Sequence, residues 1–150
     1  MPEGKKFRLY KPNVQTPFHI DFDWWRENDS NWLIFLKGFL CEEHREYFED
    51  EKDDIQIDVV DPETAEIIQM NGLLYTLMHH CAKQEGFITE NVPLVGKIFR
   101  TFLANGNEPL TPQELETIIG KPARTILITL TGPQVYKGIR QARQINFPGV

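Results

Sequence analysis

The sequence predicts an α+β fold, mainly helical, from three observations. Apolar residues recur at helical spacing in several segments, strict alternation marks two extended regions, and a complete helix-opening signature occurs at Thr111. With 150 residues, 41% of them apolar, the chain can bury roughly two thirds of its unfolded surface and fold without disulfide staples.

The elements follow in order. Phe18, Ile20 and Phe22 alternate with His19, Asp21 and Asp23, the period of a half-buried strand or extended arm that leads into Trp24 and Trp25. The polar faces of His19, Asp21 and Asp23 read as the wet side of an edge strand. Trp32, Leu36, Phe39 and Leu40, then Tyr47 and Phe48, recur at helical spacing and predict one helix over about 30–50, capped by Asp29 or Ser30. Ile55, Ile57 and Val59, a turn from Asp61, and Ile67 to Met70 predict a hairpin. Asn71-Gly72 breaks the pattern, and a second helix over 73–84 runs to a cap at Gly86.

In the last sixty residues, Leu94, Ile98, Phe99, Phe102 and Leu103 form a helical stripe that ends at Asn105-Gly106-Asn107. Thr111 with Glu114 forms a capping box, Pro112 suits the first helical position, and Gly120 ends that helix. Pro122 opens a third helix bearing Ile126, Leu127 and Leu130, and residues 134–140 read as a short strand with a turn.

Residues 93–140 resemble a winged helix-turn-helix domain, through Thr111-Pro112-x-Glu114-Leu115, the turn glycine Gly120 and Thr125-Ile126-x-x-x-Leu130. The resemblance implies that the third helix enters the major groove of double-stranded DNA and that the following strand and wing touch its backbone. Carried over, Arg124 faces the groove, and Lys137 and Arg140 lie on the wing. Glu116 occupies a place where the family usually has alanine or glycine, which implies different local packing. Leu127 and Ile128 replace groove-facing polar residues and suit a surface that meets protein.

Charge divides the chain in the same place. Residues 1–90 carry 9 Lys plus Arg against 19 Asp plus Glu, while residues 91–150 carry 7 against 3, within an overall charge of -6. The expected organisation is therefore an acidic helical region with strand and hairpin elements over 1–90 and a winged-helix-like region over 91–150, the two sharing one core. A basic surface attracts phosphates, and an acidic one docks against cations.

Cys41 and His44 lie at i and i+3 on one helix face, and His80-Cys81 supplies the same two ligand types on the next helix. Cys41, His44, His80 and Cys81 together have the composition of a structural zinc site, with His79 as an alternative donor. Neighbours on a helix point about 100 degrees apart, so His80 and Cys81 share an ion only if the helix frays there. The expectation is that no cofactor is bound and that both cysteines are small buried residues, with the zinc site as the alternative.

No phosphate loop, dinucleotide fingerprint or oxyanion signature is present, so the expectation is a protein that is not an enzyme. The longest apolar run, Trp32 to Leu36, is too short to cross a bilayer, and Met1 to Lys11 lacks the apolar core of an export signal. A cytoplasmic protein with no membrane partner is expected. Its leading function is nucleic-acid binding through Arg124, Lys137 and Arg140. The alternative is a protein interaction adaptor, or a homodimer, using Leu127 and Ile128.

Overall fold

In the computed structural model, residues 11–50, 55–134 and 136–142 are described. Residues 1–10 and Arg143 lie outside them. The alternating residues at the start form strand β1 (Phe18–Ile20), with Phe18 and Ile20 buried and His19 half-buried between them. β1 pairs antiparallel with the last strand, β4 (Ile139–Gln141), setting Ile20 opposite Ile139. On its other edge Phe18 exchanges backbone hydrogen bonds of 2.9 and 3.0 Å with Leu110. The Asn107 side chain extends this edge by bonding both the N–H and the C=O of Ile20 at 2.9 and 2.8 Å. An N-terminal strand thus sits between two pieces of the C-terminal region.

Those pieces belong to a three-helix unit of α5 (Leu94–Ala104), α6 (Pro112–Ile119) and α7 (Ala123–Leu130). The Thr111–Glu114 capping box forms with both of its bonds, at 3.1 and 2.8 Å, and Gly120 ends α6 in the left-handed region. Ile98, Phe99, Phe102, Leu103, Leu115 and Ile126 are fully buried where the three helices meet. β4 is the last strand among the described residues, and it pairs with β1.

The helix expected over 30–50 is two helices, α2 (Trp32–Lys37) and α3 (Glu42–Tyr47). Leu40, four residues after Leu36, stays buried in the core across the break. Arg45 reaches back to donate to the carbonyls of Gly38 and Leu40 at 3.3 and 2.9 Å, satisfying backbone groups that the break leaves without helical partners. No residue of α3 is fully buried.

The hairpin forms as expected, from β2 (Gln56–Val60) and β3 (Ile67–Asn71), with the Asp61 carboxylate accepting from Glu63 N–H in the turn. Its register puts Ile57 opposite Met70 and Val59 opposite Ile68 on one apolar face, and Asp58 opposite Gln69 on the other. Asn71 closes β3 and caps α4 (Gly72–His79) by accepting from Leu74 N–H at 3.0 Å. The helix expected over 73–84 stops at His79, and residues 81–83 form a short 3-10 turn.

A short helix α1 (Phe22–Asn28) carries Trp25 into the core. Its ring meets those of Trp32, Phe35 and Phe99 edge-on, with centroids 5.7 to 5.9 Å apart. Among the described residues no helix is long and apolar enough to cross a membrane.

Two glycines test this packing. Gly138 has φ +84°, and a methyl group there would approach Trp25 Cβ to 3.0 Å and the Asp21 carbonyl to 3.2 Å, whereas at Gly120 (φ +88°) it would meet nothing within 4 Å. Gly120→Ala should cost about 1–2 kcal/mol of backbone strain. Gly138→Ala adds a steric clash, and in urea denaturation it should cost at least about 1 kcal/mol more than Gly120→Ala.

Candidate functional site

Three surfaces are candidates for function: the exposed face of α6 and α7, a Cys/His cluster beside α3, and a groove under the hairpin. On the first, the structure separates the cations that the sequence groups together. Lys121 and Arg124 are exposed, in the turn and on the first turn of α7. Lys137 is half-buried, with Nζ 4.4 Å from the centre of the Phe35 ring. Arg140 lies over Trp24 at 5.0 Å and pairs with Asp21 at 3.3 Å. Arg100 donates to the Phe87 carbonyl at 2.9 Å beneath the rings of Phe39 and Phe87, and burial holds it below the ordinary guanidinium pKa. Lys97 pairs with Glu90 at 3.8 Å.

The apolar residues of α7 divide as well. Leu127 is half-buried against the core and Ile128 is 63% exposed, close to the 55% of Ile118 on α6. Glu116 has a local role, because its Oε1 accepts from Ala123 N–H at 3.0 Å and caps the start of α7. Tyr136 packs on Phe35 and Phe99, and burial raises its phenol pKa. Asp21 caps α1 besides holding Arg140, and Asp23 pairs with Arg26 at 3.6 Å. Burial is the main cause keeping His19 below the ordinary histidine value.

The second surface brings together all four of the Cys and His residues that sequence spacing selects. Cys41 is the N-cap residue of α3, and His44 follows one turn later. His44 Nδ1 lies 3.2 Å from Cys41 Sγ and 3.7 Å from Cys81 Sγ, and the two sulfurs are 3.4 Å apart. His80 joins from the side, its ring centre 4.5 Å from that of His44, and donor atoms of Cys41, His44 and His80 fall within 4.8 Å of one another. The break that adjacent ligands require is present: His80 leaves the helix with φ -126° and ψ -64°. His79 is turned away and stacks on Tyr75. Cys81 is buried, and burial beside Cys41 pushes its thiol up to about 11.

The third surface is a groove of about 650 Å³ between the hairpin base, α3 and α4. Leu33, Tyr47, Phe48, Ile55, Ile57 and Leu73 line it, with His44 and Glu43 at the cluster side. Ile55, Ile57 and Tyr47 are exposed. Sequence reasoning did not find the groove, although the register of the hairpin already puts Ile57, Val59, Ile68 and Met70 on one face.

Replacing Glu116 by the small residue usual at that place tests its local role. Glu116→Ala should lower stability in urea by about 0.5–2 kcal/mol through loss of the cap, and a neutral or stabilising effect would contradict the assignment. No protein-family model, no curated protein and no solved structure matches this chain, so its function has to be argued from these three surfaces.

Proposed function

We propose that the chain is a non-catalytic protein-docking module that binds an extended, basic and apolar segment of a partner along its hairpin. The observation that supports this most directly is the hairpin's exposure. Ile57 and Ile68 on one face, and Val60 and Ile67 on the other, are 37 to 67% exposed on a two-stranded sheet, an arrangement only marginally stable by itself. A sheet with open edges accepts a further strand through backbone hydrogen bonds, and side chains alternating along that strand enter the apolar face and the groove. The hairpin carries Asp58, Asp61, Glu63 and Glu66, and α3 carries Glu43 and Glu46. They favour a basic partner and disfavour a second copy of the same acidic surface.

The charge geometry of the helix-turn-helix unit supports the same reading. Four of the six described cations in residues 91–142 are engaged with rings, carbonyls or carboxylates of the chain itself. The second reading, binding of double-stranded DNA, is favoured by Lys121 and Arg124 at the open start of α7, with Thr125 and Ile128 beside them.

Fluorescence anisotropy separates the two readings with three labelled probes: an alternating Lys-Val peptide, an alternating Glu-Val peptide and mixed-sequence duplex DNA, each across a salt series. The Lys-Val peptide should bind at least about tenfold more tightly than the Glu-Val peptide and lose affinity with salt. The Ile57→Lys/Ile68→Lys double variant should abolish that binding. Peptide binding indifferent to the hairpin variant would overturn the proposal, as would a steep salt dependence of DNA binding that Arg124→Ala and Lys121→Ala relieve.

A further inference from the structure

We infer that Cys41, His44, His80 and Cys81 form a structural zinc site that fastens α3 to the end of α4. The assignment is independent of what the hairpin binds.

Geometry carries it. Zinc bonds of about 2.3 Å to sulfur and about 2.0–2.1 Å to imidazole nitrogen give a tetrahedron with edges of about 3.8 Å between sulfurs and about 3.5 Å between sulfur and nitrogen. The three measured edges, 3.4 Å between the sulfurs and 3.2 and 3.7 Å from His44 Nδ1 to each, lie close to those lengths. His80 supplies the fourth corner. It is exposed, its donor atom lies within 4.8 Å of those of Cys41 and His44, and a side-chain rotation brings it to the corner facing Cys81. The Gln84 amide nitrogen lies 3.1 Å from His80 Nε2, and with the amide turned over its oxygen accepts from Nε2–H, the outer contact that leaves Nδ1 free to ligate.

The surrounding structure supplies a reason for such a site. α3 has six residues, none fully buried, and so short a helix is not stable by itself. An ion held by Cys41 and His44 at its first turn and by His80 and Cys81 across 40 residues of chain replaces the missing hydrophobic anchorage. Loading balances simply: two thiol protons pass to solvent, and the divalent ion is neutralised by two thiolates beside two neutral imidazoles.

The test uses the full chain. Zinc is measured in protein purified without added metal, and chelator-treated, reduced protein is then titrated with cobalt(II). The expected result is one equivalent of zinc and, with cobalt, a tetrahedral ligand-field spectrum accompanied by a thiolate-to-metal charge-transfer band. Cys41→Ser should abolish the charge-transfer signature of the full set, and His80→Ala should weaken zinc binding by more than about 100-fold. His79→Ala should leave it unchanged. Cobalt that stays octahedral in the wild-type chain would overturn the assignment, as would zinc binding indifferent to Cys41→Ser. A Cys41–Cys81 disulfide that, once reduced, still takes up no cobalt would also overturn it.

Discussion

The structure depends most on the aromatic packing around Trp25. Its ring meets Trp32 and Phe35 from α2 and Phe99 from α5, its indole N–H donates to Asp29 at 3.1 Å, and Gly138 lies against its Cβ. Each edge-on pair adds about 0.5–1.5 kcal/mol beyond the area it buries. One side chain thereby joins the acidic segment to the three-helix unit, and the pairing of β1 with β4 follows from the same approach. The cations lie on the rim of this cluster. Arg26 sits over Trp32, Lys137 over Phe35, Arg100 over Phe39 and Phe87, and Arg140 over Trp24. The packing that builds the fold therefore also holds three of the six described cations of residues 91–142 against aromatic rings, which is why the functional reading turns to the apolar hairpin.

Much of the fold was legible because local chemistry dictates it. The capping box at Thr111, the left-handed Gly120, the turn at Asp61 and the alternation of Phe18 and Ile20 are decided within a few residues, and each forms where the sequence places it. The break between α2 and α3 was not legible, because the stripe from Trp32 to Phe48 has helical spacing throughout. α2 ends at Gly38, and the reach of Arg45 back to the Gly38 and Leu40 carbonyls satisfies groups that the break leaves open. The same limit applies to charge. Counting finds a basic third of the chain, but only three-dimensional packing reveals that Arg100, Lys137 and Arg140 meet aromatic rings.

The Cys/His cluster lies between these cases. Spacing selected Cys41, His44, His80 and Cys81, and helical geometry said that His80 and Cys81 converge only where the helix frays. The helix ends at that point. The hairpin was legible as an element and its apolar face was implicit in the pairing. The groove under it was not, since it depends on where the separate α3 comes to lie.

The central claim is that the cations on the aromatic rim belong to the fold and not to an anionic partner. The measurement that tests it most directly is the urea stability of Arg100→Ala, Lys137→Ala and Arg140→Ala beside Lys121→Ala and Arg124→Ala. The three rim variants should each lose about 0.5–2 kcal/mol, most for Arg100, while Lys121→Ala and Arg124→Ala should change stability by less than about 0.5 kcal/mol. Rim variants as stable as the wild-type chain would contradict the claim and return those three cations to the set available for nucleic acid.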